Sequence, residues 1–265
     1  ECELLCELKI PAIAIFPVIS QDLKTNEAIE AYNPEGLIPK VIKAIKSKFP
    51  ELGIISDIAL DPYTSHGQDG LIDKNNKIIN DATIQVLQKQ ALCHAQAGVD
   101  IVAPSDMMDG RIGEIRKILD KNNFIDTNIL AYSAKYASNF YGPFRDAVDS
   151  LKNLGNADKK TYQLSYQNAN QALHEVALDI QEGADMVMVK PGSLYLDIVN
   201  QVKQNFKIPT FVYQISGEYA MLKLAAQNNL INEQHAVLET LISMKRAGAD
   251  AILTYYAKEV AKWLR

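Results

Sequence analysis

Short β-branched runs alternate with amphipathic segments along the whole chain. Seven runs read as strands: Ala12–Phe16, Gly53–Leu60, Asp100–Ala103, Ile129–Ser133, Met186–Lys190, Thr210–Ile215 and Ala251–Tyr255. Between them, apolar residues recur at helical spacing over Gly36–Phe49, Asp81–Ala97, Arg111–Asn122, Asn168–Glu182 and Gln234–Ala247. The strands lack alternation of apolar and polar residues, which predicts burial on both faces, as for parallel strands covered by helices. Three helix-to-strand junctions repeat one pattern: Ala97-Gly98-Val99-Asp100, Glu182-Gly183-Ala184-Asp185 and Ala247-Gly248-Ala249-Asp250. A glycine there suits the left-handed position that ends a helix. The repeated unit favours an α/β fold of the (β/α)8 TIM-barrel type over an open sheet, with residues 1–265 forming one catalytic domain. A closed barrel needs eight strands. The expectation is therefore that a first βα unit lies upstream of Glu1, where the chain opens mid-helix without a methionine.

Composition narrows the class without naming a chemistry. The chain is 48% hydrophobic and 22% charged, ordinary for a globular protein with a sizeable core. A net charge of −5 gives no basic footprint for nucleic acid. The apolar run Ile10–Ile19 is interrupted by Pro11 and Pro17 and is too short to span a bilayer. Cys2, Cys6 and Cys93 have no disulfide-framework spacing; they read as small core residues in a reducing cytoplasm.

The chemistry concentrates at strand ends. Lys135 follows the apolar run Ile129–Ala134, and Lys190 closes Met186–Val189 before Pro191-Gly192 stops the strand. A lone lysine there more often carries its head out to water. Two at equivalent ends of two buried strands point elsewhere. An ammonium against an apolar wall loses its proton more readily, and the free amine forms a Schiff base with a ketone. Two long polar excursions, Leu60 to Asn80 and Tyr136 to Tyr162, also follow strand C-terminal ends, where barrel enzymes keep their site loops.

Six segments then carry a resemblance: Asp57-Ile58-Ala59-Leu60-Asp61-Pro62-Tyr63-Thr64-Ser65-His66-Gly67, Ala103-Pro104-Ser105-Asp106-Met107-Met108-Asp109-Gly110-Arg111, Tyr132-Ser133-Ala134-Lys135-Tyr136-Ala137-Ser138, Phe140-Tyr141-Gly142-Pro143-Phe144-Arg145-Asp146, Met188-Val189-Lys190-Pro191-Gly192 and Tyr213-Gln214-Ile215-Ser216-Gly217-Glu218-Tyr219. In this order, and over the whole chain, they resemble the porphobilinogen synthase (delta-aminolevulinic acid dehydratase) family. The resemblance implies a hydro-lyase of tetrapyrrole and heme biosynthesis. It would condense two 5-aminolevulinate molecules into porphobilinogen with loss of two waters. Lys190 would hold the substrate that becomes the propionate side and Lys135 the one that becomes the acetate side.

The resemblance also implies the substrate contacts. Arg145, Lys159 and Gln163 would bind the acetate-side carboxylate, and Ser216 and Tyr255 the propionate-side one. Taken alone, Arg145 has a lesser alternative as a partner of Asp146 or Asp149, and Ser216 and Tyr255 read more often as ordinary strand-end hydroxyls. Phe140, Tyr141 and Phe144 would fold over the site and exclude water, which hydrolysable imines require. Asp57 would orient a lysine or shuttle a proton, and His66 reads as a loop packer.

Zinc-dependent relatives carry cysteines at positions matching Ala59, Asp61 and Asp69; none stands there, so no cysteine-ligated active-site zinc is expected. Two readings of Asp61 and Asp69 remain, a weak Mg²⁺ site or no active-site metal. Glu175 matches the family's allosteric Mg²⁺ ligand, although alone it reads as an exposed helix acid. The resemblance further implies a homo-octamer assembled through an N-terminal arm, which the chain from Glu1 onward is expected to lack. Two other readings compete with this one: a one-lysine aldolase, against which Glu218 beside Gly217 disfavours a phosphate loop, and a catalytically dead barrel, which would tolerate loss of a lysine or of Arg145.

Overall fold

Seven parallel strands run in strict chain order across one sheet in a computed structural model that describes residues 1–147 and 159–265. They are β1 (Ala12–Ile15), β2 (Gly53–Ile58), β3 (Ile101–Pro104), β4 (Asn128–Lys135), β5 (Met186–Lys190), β6 (Thr210–Tyr213) and β7 (Ala251–Leu253). The helices on the outside are α1 (Cys2–Glu7), α2 (Leu37–Lys48), α3 (Asn80–Gln96), α4 (Arg111–Lys121), α5 (Gly142–Ala147), α6 (Asn170–Glu182), α7 (Leu196–Phe206), α8 (Ser216–Gln227), α9 (Glu233–Ala247) and α10 (Ala257–Trp263). The result is a nearly closed TIM-type barrel with all seven expected strands in place. β1 and β7 do not pair, and both are only half-buried, so burial on both faces holds for the central strands alone.

The core has two layers. Ile55, Ala103, Leu130, Tyr132, Met188 and Tyr213 fill the barrel interior. Val102, Ile129, Val187 and Val212 point outward against helix residues such as Ile112, Ile115, Val199 and Val237. Cys93 is buried as expected, but Cys6 is exposed and Cys2 partly so, because short α1 turns one side to solvent. That corrects the expectation that all three cysteines are core residues.

The glycine–x–aspartate repeat has a physical job at the barrel floor. Gly98, Gly183 and Gly248 all take positive φ, as the helix-ending role predicts. Two residues on, each aspartate accepts a backbone N–H from the first two residues of the preceding strand. Asp100 takes that of Ile54 at 2.8 Å, Asp185 that of Ile129 at 2.7 Å, and Asp250 that of Thr210 at 2.8 Å. Each also pairs with a cation from the helix that leads into that preceding strand: Lys46 of α2 at 2.9 Å, Arg116 of α4 at 3.3 Å and Lys203 of α7 at 2.6 Å respectively. At two of the three junctions the glycine also makes room for the cation. A Cβ at Gly183 would come within 3.0 Å of the Arg116 side chain, and one at Gly248 within 2.8 Å of Lys203. Register at one end of the strands is thus pinned far from the chemistry at the other.

Candidate active site

β4 and β5 end side by side, with Lys135 directly opposite Lys190. The register shifts between Ala131 and Ala134, and this irregularity in β4 is what brings the two lysines level. Both side chains are buried. Lys190 Nζ lies over four aromatic rings: Tyr213 at 4.4 Å, Tyr132 at 5.1 Å, Tyr141 at 5.5 Å and Phe144 at 5.7 Å from the ring centres. Burial and the neighbouring Lys135 charge together lower its pKa to about 7. Lys135 Nζ donates to the Ser105 carbonyl and lies 5.9 Å from the Tyr132 ring. A nucleophilic amine and a second lysine tied to a backbone carbonyl therefore sit next to one another.

Carboxylates surround the pair. Asp57, near the end of β2, is pushed up to about 6 by burial and by Asp61 nearby, and its Oδ1 is buried without a hydrogen-bond partner. Burial also raises Asp61. Asp69 shares that burial, but the Lys159 and Lys135 charges overcome it and hold the carboxyl at about 2. Lys159 Nζ bridges Asp61 at 3.0 Å and Asp69 at 2.8 Å. The Lys159 head group expected at a substrate carboxylate is thus engaged by two aspartates. Gln163, also expected there, is buried with its Oε1 unpaired, an acceptor facing the same region. Arg145 belongs to the backbone of α5, but its side chain lies outside the described residues, as does Asp149.

The lid is built from short pieces. Ser138 accepts the Phe140 N–H at 3.1 Å, starting a single helical turn over Asn139–Tyr141 that runs into α5. Tyr141 is buried rather than flapping free: its hydroxyl donates to the Tyr136 carbonyl at 2.8 Å and reaches the Lys190 carbonyl at 3.4 Å. Ser216 opens α8, and its Oγ accepts the Phe144 N–H at 2.9 Å, leaving the hydroxyl hydrogen for another acceptor. Gly217 lies so close to the lid that a Cβ there would stand 2.3 Å from the Phe140 carbonyl oxygen. Tyr255 is partly exposed at the rim and packs on Tyr219 and Tyr213 at ring-centre distances of 5.4 and 6.4 Å.

Sequence reasoning missed the aromatic wall of Tyr132 and Tyr213, whose signal is the inward-facing position on β4 and β6. It also missed Ser105, whose carbonyl holds Lys135, and Glu218, read only as an argument against phosphate. His66 is a loop packer as expected: its Nδ1 accepts the Gln68 N–H at 3.3 Å, and burial lowers its pKa. Glu175 is half-buried rather than exposed, because α6 turns it toward Asp179 and Asp109; burial and those acids raise its pKa despite Arg111 nearby.

Comparison with known proteins agrees with this geometry. The family described as Delta-aminolevulinic acid dehydratase matches residues 1–263. The delta-aminolevulinic acid dehydratase of Bradyrhizobium diazoefficiens is 54% identical over 265 residues, covering 100% of this chain and 74% of its own length. The chloroplastic delta-aminolevulinic acid dehydratase of Physcomitrium patens is 50% identical over 258 residues, which are 97% of this chain but 59% of that protein. The solved delta-aminolevulinic acid dehydratase (porphobilinogen synthase) of Toxoplasma gondii ME49, in complex with the reaction product porphobilinogen, superposes with a TM-score of 0.97 at 52% identity. That match covers 98% of this chain and 74% of the other. A 2,3-dimethylmalate lyase shares the fold alone, at TM-score 0.51 and 12% identity.

Proposed function

The chain belongs to the delta-aminolevulinic acid dehydratase family, hydro-lyases of porphobilinogen synthesis, and we propose that it holds two 5-aminolevulinate molecules as Schiff bases on Lys190 and Lys135. The observation that carries this reading is the level pair of buried lysines, one with its pKa brought to about 7. The Lys190 amine adds to the ketone carbon of the first substrate, and the carbinolamine oxygen leaves as water to give the imine. Lys135 does the same with the second substrate. One C–C and one C–N bond then join the two, the lysines are released, and two waters are lost overall. Asp57, with a buried unpaired oxygen beside both amines, moves the protons. Tyr141 and Phe144 keep water from the imines.

Ser216 and Tyr255 supply hydroxyls to one substrate carboxylate, and Arg145, Lys159 and Gln163 serve the other. For Lys159 that role requires the incoming carboxylate to replace Asp61 or Asp69 at its Nζ. Those two aspartates fit a metal poorly for the same reason: an ammonium already occupies the place of a cation. Glu175 fits better. It lines a cleft of about 650 Å³ with Asp109 and Gln171, and a hydrated Mg²⁺ would relieve the crowding of its acidic neighbours. When bound there, Mg²⁺ supplies charge at a distance from the lysines. Homo-octameric assembly and a cytoplasmic location complete the reading. The free cysteines suit a reducing compartment, and among the described residues no helix is long and apolar enough to cross a membrane.

Borohydride trapping with 5-aminolevulinate followed by peptide mass spectrometry tests the reading. A reduced adduct on Lys190, joined by one on Lys135 at high substrate, is the expected result. Absence of both adducts would replace it with a catalytically dead barrel.

A further inference from the structure

The turn that opens α8 carries three consecutive residues with three different partners, and the third has no assigned role. Glu218 is 2% exposed, yet it is a carboxylate. Its Oε2 accepts the N–H of Ile215 at 2.9 Å and of Gly192 at 3.4 Å, and its Oε1 accepts that of Ser193 at 2.6 Å. Two of these donors follow Lys190 by two and three residues; the third precedes Ser216. The bond to Ile215 is a helix's third residue reaching back to its own cap, which accounts for one donor only. The other two belong to the loop after a different strand. An acceptor-only group suits three converging N–H donors; an amide would turn an N–H₂ toward at least one of them.

Neighbouring contacts tighten the same joint. Gly192 is wedged so that a Cβ would meet Val212 Cγ1 at 2.8 Å, Met244 Cε at 2.9 Å and the Tyr213 carbonyl at 3.1 Å. On the other side, Ser216 takes the Phe144 N–H and Gly217 takes the close approach of Phe140. We propose that Glu218 is a positioning residue for the Schiff-base lysine, its carboxylate tying the backbone after Lys190 to the turn that carries Ser216. Amine and hydroxyl thereby keep one spacing, and the lysine stays pressed against its aromatic wall. The inference rests on the reading of Lys190 as the imine-forming residue.

Loosening the joint lets water reach the amine, and an amine regaining water regains its ordinary basicity. The groups that face Lys190 are Lys135 and Tyr132 from β4, Asp57 from β2, Asp61 and Asp69 from the loop that follows, Tyr213 from β6, and Tyr141 and Phe144 from the lid. Glu218 itself touches three backbone N–H groups and the Ser193 side chain, with Tyr195 nearby.

The test needs no substrate, so it stands apart from the trapping experiment. The rate of Lys190 acetylation by acetic anhydride is followed against pH by peptide mass spectrometry in the full chain, in Glu218→Gln and in Gly192→Ala. Asp250→Asn, at the far end of the barrel, serves as a control for mere destabilisation. The wild-type midpoint should lie near 7. Both joint variants should move it upward by about one unit, a tenfold loss of free amine below the midpoint, while Asp250→Asn leaves it in place. Gly192→Ala leaves the carboxylate intact and decides alone if Glu218→Gln does not fold. An unmoved midpoint in the joint variants, or the same movement in Asp250→Asn, overturns the proposal.

Discussion

Replacing Lys135 with glutamine removes a positive charge beside Lys190 while keeping most of the side-chain length. The consequence can be worked from the site. Bringing a lysine from 10.5 to about 7 sets roughly 5 kcal/mol against its ammonium. At neutral pH this raises the fraction of free amine on the order of a thousandfold. Burial is the larger cause and the Lys135 charge the next, opposed by Asp57, Asp61 and Asp69. Two unit charges at the ~5 Å spacing of adjacent strands, in an effective dielectric of ~20, repel by roughly 3 kcal/mol. Side chains that diverge from their strands feel less. Lys135→Gln should therefore raise the Lys190 midpoint to between roughly 8 and 9, short of the ordinary ~10.4 because burial remains. The pH dependence of Lys190 acetylation reads this directly. Single-substrate trapping on Lys190 at pH 7 should slow by roughly 5- to 50-fold and recover at pH 9. A midpoint that stays near 7 would refute the claim that the paired lysine helps deprotonate its neighbour.

Two further outcomes are expected. His94 is fully buried against Ser56 at 3.0 Å, and burial lowers its pKa to about 3. The unfolded chain protonates it below ~6.5 while the folded chain refuses. Its contribution is thus complete above pH 6.5 and lost as pH falls toward 3; between pH 7 and 4 a His94→Asn variant should lose roughly 3 kcal/mol less stability than wild type in urea unfolding, and equal losses would count against a buried neutral imidazole. Gly217→Ala places a methyl 2.3 Å from the Phe140 carbonyl oxygen, a backbone atom that cannot yield without moving the lid; kcat/KM should fall roughly tenfold or more while the melting temperature changes little, since alanine also favours the helix.

The strand and helix alternation was legible because central parallel strands and amphipathic helices write their burial into residue type. Met186–Lys190 was placed to the residue, and β4 runs one residue earlier and two later than read, far enough to include Lys135. The runs ending in Leu60, Ile215 and Tyr255 were read too long. Their last residues are apolar because Leu60 and Ile215 are buried in the core and Tyr255 packs on Tyr213 and Tyr219, not because they pair. The glycine–x–aspartate repeat was visible as helix punctuation, but its aspartates bond to a preceding strand and helix, a relation spacing does not encode. Lys159 shows the same gap: its match to a carboxylate-binding position was plain, and its hold on Asp61 and Asp69, some ninety residues away, was not.

Charge bookkeeping across the site explains why the Lys190 amine is free while Lys159 stays ionised. Three acids, Asp57, Asp61 and Asp69, face three bases, Lys135, Lys159 and Lys190. Lys159 is claimed by Asp61 and Asp69, whose attraction outweighs its burial and keeps it protonated. Lys135 is held by the Ser105 carbonyl. Among the described residues Asp57 and Lys190 form no ion pair, and burial drives both toward neutrality, the acid up to about 6 and the amine down to about 7. An acid and a base whose affinities nearly meet can exchange a proton at little cost in either direction, which imine formation and release both demand. Strengthening either partner's ion pairing would pull the two values apart. A site with more charge complementarity would therefore be more stable and less able to turn over.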